Sequence, residues 1–148
     1  MLAELIMLWW FDVSGRIDCR LLSEDTQYRV VFVLKYAERS YGWNAMPIIF
    51  SVTGPDGEEK ESSRVFMERE KVDYYYDDGA VDYILYDDDE WIEVVAGEFT
   101  VPANEGETDP SHHMESKFSM REVESNSQKA GLFLDGVKIE PVNASVGV

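Results

Sequence analysis

The chain has 148 residues, the length of one ordinary domain, and 45% of them are hydrophobic, so it can bury a core. Its 30 acidic and 13 basic residues give a formal net charge of −17, which excludes the basic surface that nucleic acid or an anionic membrane requires. The single cysteine, Cys19, excludes an intramolecular disulfide and a cysteine-rich zinc site. These features favour a neutral ligand, a basic peptide or a cation as the partner, in a reducing compartment.

The first apolar run, Leu5 to Phe11, is the longest in the chain. It is much shorter than the roughly 20 residues that a membrane-spanning helix requires. Glu4 precedes it where a signal peptide has basic residues, and no small-residue cleavage site follows. We therefore expect no membrane insertion, no export and a cytoplasmic location.

The first half of the chain is predicted to form β-strands separated by polar turns. Leu5 to Val13 is aromatic and β-branched, Ser14-Gly15 is predicted to interrupt it, and Arg16 to Leu22 continues as extended chain. Tyr28 to Tyr36 is almost continuously apolar, which is typical of a buried central strand. Ser40 to Ala45 is predicted to be a loop.

Turn residues then predict a hairpin, because Gly54-Pro55-Asp56-Gly57 separates two extended segments, Met46 to Val52 and Glu58 to Met67. Alternating apolar residues predict three further strands: Trp91 to Val95 continuing through Gly97-Glu98-Phe99, Glu115 to Val123, and Gly131 to Pro141. Seven to nine short strands without a sustained helical period indicate an all-β fold, an antiparallel β-sandwich. We expect one domain over residues 1–148.

The stretch from Glu68 to Glu90 differs from the rest, because aspartates and tyrosines are interspersed in it. We predict an acidic, tyrosine-rich insertion at about residues 68–90, solvated and partly ordered by its tyrosines. The alternatives are a cation site and a docking patch for a basic partner. An EF-hand loop beginning at Asp73 is excluded, because its twelfth position is Ile84 rather than glutamate.

Three stretches, in order and spacing, resemble the phloem protein 2 lectin family over Ala3 to Pro141. The first begins at Trp10-Phe11-Asp12-Val13 and includes Gly15, Leu22-Ser23, Thr26, Tyr28, the apolar strand to Lys35, and Tyr41-Gly42. The second is Trp91-Ile92-Glu93-Val94 leading to Gly97-Glu98-Phe99. The third consists of Lys129, Gly131-Leu132, Gly136 and Ile139-Glu140-Pro141.

The resemblance implies a β-sandwich of jelly-roll type in a nucleocytoplasmic plant protein, often a dimer. It also implies binding of N-acetylglucosamine oligomers or N-glycan cores, without cleavage. Members usually begin with a further segment whose tryptophans are credited with sugar stacking. This chain opens at Met1-Leu2-Ala3-Glu4-Leu5, where the family is already past them, and Gln128 stands where the family often has tryptophan. We therefore expect weakened sugar binding.

Two glutamates of the family, thought to line the sugar site, are seven residues apart on the penultimate strand, and Glu115 and Glu122 match that spacing. An ideal strand places such residues on opposite faces. Because Val123 also favours burial, we predict a bulge between Met120 and Val123 that would bring both glutamates to one outer face. The alternative is a pair of ordinary exposed acids.

Two loop aromatics, Tyr41 and Trp43, are candidates to stack on a sugar, since aromatic rings pack well on the C–H faces of pyranoses. The alternative for Trp43 is an anchor that packs back on the sandwich. Trp10 and Trp91 are predicted to be core residues.

The apolar first strand invites pairing with another chain. Trp9 alternates with Trp10 and should face the other way. We therefore expect a homodimer, or a partner that covers Leu5 to Phe11.

The sequence has no nucleophile set beside a base, no P-loop and no dinucleotide-binding motif. His112 and His113 are adjacent, so on an extended chain they point apart and chelate poorly. We expect no catalysis, no cofactor and no metal. The favoured function is a carbohydrate-binding domain, and the alternative is a protein-interaction module on a lectin-type sandwich that has lost sugar binding.

Overall fold

The structure is a computed structural model that describes residues 3–5, 10–43, 46–68, 82–87, 89–103, 114–123 and 128–142. Within these ranges the chain forms nine strands and one 3-10 turn. The strands are β1 (Ala3–Leu5), β2 (Phe11–Asp18), β3 (Thr26–Tyr41), β4 (Ile48–Thr53), β5 (Glu59–Glu68), β6 (Asp82–Leu85), β7 (Trp91–Val101), β8 (Glu115–Glu122) and β9 (Ala130–Pro141). The 3-10 turn is Cys19–Leu21.

Four strands form an antiparallel sheet in the order β1-β9-β3-β7. Its longest strand, β3, lies between β9 and β7, which confirms the prediction of a central strand at Tyr28 to Tyr36. Alternate side chains of this strand face the core: Val30, Phe32 and Leu34 are fully buried. Val31 and Val33, on the other face of the strand, are also buried, so the apolar run is uninterrupted because both faces of β3 are covered.

Five strands form the second sheet in the order β2-β8-β4-β5-β6. All pairs are antiparallel except β5–β6, which is parallel. The predicted hairpin joins β4 to β5: the Gly57 amide donates to the Gly54 carbonyl at 2.9 Å, and the Glu58 amide donates to the Asp56 carboxylate at 3.0 Å.

The two sheets pack face to face around aromatic side chains. Phe32 from the first sheet meets Phe50 and Phe118 from the second edge to face, with ring centroids 5.5 and 6.0 Å apart. This arrangement confirms the predicted β-sandwich. No helix in the described residues is long and apolar enough to cross a membrane.

The predicted break at Ser14-Gly15 is wrong, because β2 pairs with β8 without a register shift from Phe11 to Asp18. Gly15 lies opposite Phe118, whose ring covers the glycine: a Cβ at residue 15 would be 2.7 Å from Phe118 Cε2. The glycine therefore makes room for a cross-strand aromatic ring and does not end the strand.

The prediction that Trp10 and Trp91 are core residues is also wrong, since their exposed fractions are 62% and 47%. On β7 the buried residues are Val94, Ala96, Phe99 and Val101, and Ile92 is partly buried. The alternate set includes Glu93, so burying it would place a carboxylate in the core. Trp10 directly precedes Phe11, which takes the inward position at the start of β2.

Part of the predicted insertion at 68–90 lies outside the described residues, as do His112 and His113 and residues 6–9 of the first apolar run. In the described part, Asp82–Leu85 forms β6 beside β5, and Tyr86 is 7% exposed. The solvated insertion and the homodimer stay predictions.

Gly15→Ala is expected to lower the free energy of unfolding by about 1–3 kcal/mol, because the added methyl group overlaps the Phe118 ring. In a Phe118→Ala background the same change should have almost no effect, because the ring is absent. Gly136→Ala is the control, since a Cβ there meets nothing within 4 Å. Urea unfolding measures each value, and equal losses in both backgrounds would contradict the contact.

Candidate functional site

The end of β3 and the start of β9 approach each other closely at two glycines. Gly42 follows β3 with a φ of 83°, and a Cβ there would be 2.1 Å from the Gln128 carbonyl oxygen. Gly131 has a φ of 89°, and its Cβ would be 2.7 Å from Ser40 Cα. Both positions need the left-handed backbone and the absence of a side chain, so glycine is required twice at this crossing.

Trp43 is held beneath this crossing and is only 1% exposed. Its indole Nε1 donates to the Ala130 carbonyl at 2.8 Å. Its ring meets Phe11 and Tyr36 edge to face at 5.3 and 5.4 Å. Trp43 is therefore an anchor that packs back on the sandwich, which was the alternative to sugar stacking. Its buried ring has no face that a ligand could contact.

Tyr41 lies on the surface above this anchor and is 47% exposed. It pairs with Ala130 at the start of β9, and its hydroxyl is 3.4 Å from Gln128 Oε1. The ring and the carboxamide together present an apolar surface beside a hydrogen-bonding group.

Glu122 is buried at the end of β8, with an exposed fraction of 2%. Its carboxylate Oε1 is 2.7 Å from the ammonium of Lys129, which is 1% exposed. Glu122 is also the cross-strand partner of Phe11, whose ring contacts Trp43. The ion pair therefore lies in the same cluster as the tryptophan anchor.

The predicted bulge between Met120 and Val123 is wrong. The β2–β8 register runs unbroken from Glu115 to Glu122, so alternation points Ser116, Phe118, Met120 and Glu122 inward. Val123 is 48% exposed, so the conflict that suggested a bulge does not arise.

Glu115 lies at the opposite end of β8 and on its outer face. Its carboxylate is 3.9 Å from the guanidinium of Arg16, in a largely exposed pair. Seven residues of strand separate it from Glu122 by about 23 Å. The structure therefore brings Tyr41, Trp43 and Glu122 into one region and leaves Glu115 outside it.

The prediction omitted the buried role of Lys129, which the resemblance named only as a matching residue. The signal was present in the alternation of β8, because an inward-facing glutamate requires a cation or hydrogen-bond donors. The sequence does not say which of the 13 basic residues fills that role.

Tyr36 extends the cluster into the core. It is fully buried, and its ring stacks on Tyr86 with centroids 4.3 Å apart. Burial raises the pKa of the Tyr36 phenol well above its ordinary value of 10, and the neighbouring Tyr86 acts in the same direction.

These features define the chain as an all-β sandwich with a surface tyrosine and carboxamide next to a buried ion pair. Among the described residues, no group of three or more His, Cys, Asp or Glu side chains could hold a metal ion. A family model for phloem protein 2 matches residues 1–141. The chain belongs to the phloem protein 2 family, which confirms the resemblance.

Curated relatives come from Arabidopsis thaliana. The chain is 32% identical to "Protein PHLOEM PROTEIN 2-LIKE A2" over 143 residues, which cover 95% of this chain and 60% of that protein. It is 31% identical to "Immune-associated nucleotide-binding protein 10" over 145 residues and 28% identical to "F-box protein PP2-B15" over 155 residues. The match spans 26% of the former protein and 52% of the latter. The chain thus corresponds to a part of these longer proteins.

Lys129→Met is expected to lower the free energy of unfolding by about 3–5 kcal/mol, because it leaves the buried Glu122 carboxylate without its cation. The double variant Glu122→Gln/Lys129→Met should lose less free energy of unfolding than Lys129→Met alone, because it leaves no buried charge without compensation. Glu115→Gln is the matched control, because its exposed pair contributes about 0–1 kcal/mol. Urea unfolding gives all three values, and similar losses for Lys129→Met and Glu115→Gln would refute the role of the buried pair.

Tyr36→Phe is expected to make stability less sensitive to alkaline pH. In the unfolded chain Tyr36 ionises near pH 10, whereas in the folded protein it stays neutral to higher pH. The stability that Tyr36 contributes is therefore complete below about pH 10 and is lost as pH rises toward the pKa of the folded state. The urea midpoint should therefore fall less between about pH 9 and about pH 11 in Tyr36→Phe than in the unmodified protein. Tyr41→Phe, at an exposed position, is the control. An unchanged alkaline loss in Tyr36→Phe argues against this assignment.

Proposed function

We propose that this domain is a carbohydrate-recognition module that binds N-acetylglucosamine oligomers or N-glycan cores weakly and does not cleave them. The observation that carries the proposal is the exposed Tyr41 ring beside the Gln128 side chain, above the buried Glu122–Lys129 pair, in a member of the phloem protein 2 family. We also propose that the protein is located in the nucleus and cytoplasm.

The proposed contact uses the exposed Tyr41 ring and the partly buried Gln128 carboxamide in different ways. The Tyr41 ring provides a flat apolar surface for the C–H face of a pyranose. The Gln128 carboxamide can both donate to and accept from sugar hydroxyls. The Glu122–Lys129 ion pair supports this surface by holding the end of β8 against the start of β9. For stacking on the Tyr41 ring alone, we expect a dissociation constant of about 1 mM, or roughly −4 kcal/mol.

Binding without cleavage is favoured by the positions of the acids and the cysteine. A glycosidase holds its two carboxyl groups about 5–9.5 Å apart, whereas Glu115 and Glu122 are separated by about 23 Å of strand. Cys19 is 1% exposed, and burial, followed by the charge of Asp18, raises the pKa of its thiol. A thiol in that environment is a poor nucleophile at neutral pH.

A protein-interaction module is the second candidate, and a specific observation favours it. Trp91 and Val95 are exposed on the outer face of the four-stranded sheet, away from Tyr41. Relatives named as F-box proteins contain the matched region as about half of their length. A domain found within longer proteins with different names fits a recognition role.

Tyr41→Ala is expected to abolish binding of an N-acetylglucosamine trimer, while Tyr41→Phe keeps the ring and should retain most of it. Trp91→Ala is the matched control, because Tyr41 and Trp91 are both 47% exposed. Amide chemical shifts in an NMR titration report the contact, and the same samples report any shorter sugars. Absence of binding by the folded unmodified protein overturns the proposal, and release of shorter sugars overturns its non-enzymatic part. If Glu115→Ala loses binding of the trimer and Tyr41→Ala does not, the sugar binds at the Arg16 end of β8.

A further inference from the structure

An aromatic row crosses the outer face of the four-stranded sheet. Lys35 on β3 pairs with Trp91 on one side and with Phe133 on the other. The Lys35 ammonium is 4.7 Å from the centre of the Trp91 ring and 5.2 Å from the centre of the Phe133 ring. Cation–π attraction to both rings holds the three side chains as one unit on the sheet surface.

The exposed apolar surface continues along β7. Trp91, Glu93 and Val95 occupy the outward positions, and Val95 is 45% exposed. Seen from solvent, the strand presents an apolar, an acidic and an apolar side chain in turn. A β-branched residue and an indole in this alternation suit a neighbouring strand with the complementary alternation.

The same residues lie on the outermost strand of their sheet, among the strands that the structure describes. β7 is the last strand of its sheet, and among the described strands only β3 hydrogen-bonds to it. The register shifts between Val30 and Val31, where Val30 pairs with Gly97 and Val31 with Val95, so a bulge at Ala96 ends the regular edge. Trp91 to Val95 is therefore a regular edge of five residues.

This face carries two cations, Lys35 and Lys138, so the charge that favours a cationic partner is that of the whole chain. Glu93 forms an ion pair with Lys138 across the central strand. The Lys138 ammonium donates a hydrogen bond to Glu93, and this bond, with the charges of Glu93, Glu140 and Asp135, raises the pKa of Lys138. The whole chain carries −17, so this negative potential extends beyond the patch.

We propose that Trp91 to Val95 is a docking edge for an extended basic segment of a protein partner, which adds to the sheet as a strand next to β7. In this arrangement main-chain hydrogen bonds supply affinity and the alternate side chains supply specificity. Apolar residues of the partner lie against Trp91 and Val95, and a lysine or arginine between them lies opposite Glu93. The proposal is independent of sugar binding at Tyr41.

Other occupants fit this face less well. A second copy of this chain would bring another −17 against the patch. A sugar would place hydroxyl groups against the exposed Val95 side chain, which offers them no hydrogen bonds. A basic strand is complementary to the negative charge of the chain and can form main-chain hydrogen bonds with the outer edge of β7.

The test uses a capped synthetic peptide of nine residues that alternates valine and lysine, titrated into the full chain and followed by fluorescence anisotropy and amide NMR. Two control peptides accompany it: one alternates valine and glutamate, and one carries N-methyl groups along the edge that would pair. Val95→Lys is compared with Val123→Lys, since the exposed fractions of these valines are 45% and 48%. Thermal melts verify that each variant is folded.

The lysine peptide is expected to shift the amides of Trp91 to Val95, and both control peptides should bind at least about tenfold more weakly, a difference of about 1.4 kcal/mol. Val95→Lys should weaken binding by about the same factor while Val123→Lys does not, and Glu93→Lys should reverse the preference between lysine and glutamate peptides. No binding by the unmodified protein, equal binding of the N-methylated peptide, or equal effects of Val95→Lys and Val123→Lys overturns the proposal. Shifts of these amides caused by an N-acetylglucosamine trimer would instead make the face a sugar site.

Discussion

The ion pair between Glu122 and Lys129 is the constraint on which the candidate site depends. Two opposite charges with exposed fractions of 2% and 1% must stay together, because separating them would leave a charge without compensation in the core. The pair fixes the end of β8 against the start of β9. The residues after Lys129 then meet the end of β3, where Gly42 admits the close backbone contact and the Trp43 indole hydrogen-bonds to Ala130. With the Trp43 ring turned inward, Tyr41 is an aromatic side chain that this region exposes to solvent.

The sandwich could be predicted from local patterns, whereas the site depended on pairings between distant residues. Turn chemistry at Gly54-Pro55-Asp56-Gly57 and the apolar run of β3 were sufficient for their strands, since both signals lie within a few residues. Trp91 is exposed although it is large and apolar, because the alternation of its strand turns Val94 and Ala96 inward. The bulge was predicted to accommodate Val123, but that residue lies just beyond β8 and is exposed. The buried partner of Glu122 comes from another strand, and no local pattern identifies it.

The two proposed surfaces use different parts of the same domain. The Tyr41 region lies where β3 and β9 cross, and its shape follows from two glycines and a buried ion pair. The Trp91 edge lies on the far side of β3 from β9, and it follows from strand order and the alternation of exposed side chains. Substitutions in one surface are therefore expected to leave the other intact. Such separation would let the proposed sugar and the proposed protein partner bind independently, in a domain that matches part of longer relatives.

The position of β9 beside β3 has a consequence for synthesis of the chain on the ribosome. Tyr36 pairs with Leu132 and Tyr28 with Pro141, so one side of the central strand stays unpaired until the last strand emerges. At about 5–20 residues per second, the roughly 100 intervening residues take about 5–20 s to add. During that interval the most apolar strand of the protein presents an open edge, which is a template for misassembly with other nascent chains. The dense negative charge of the intervening sequence acts against such encounters, since nascent chains of this protein repel each other before they can fold.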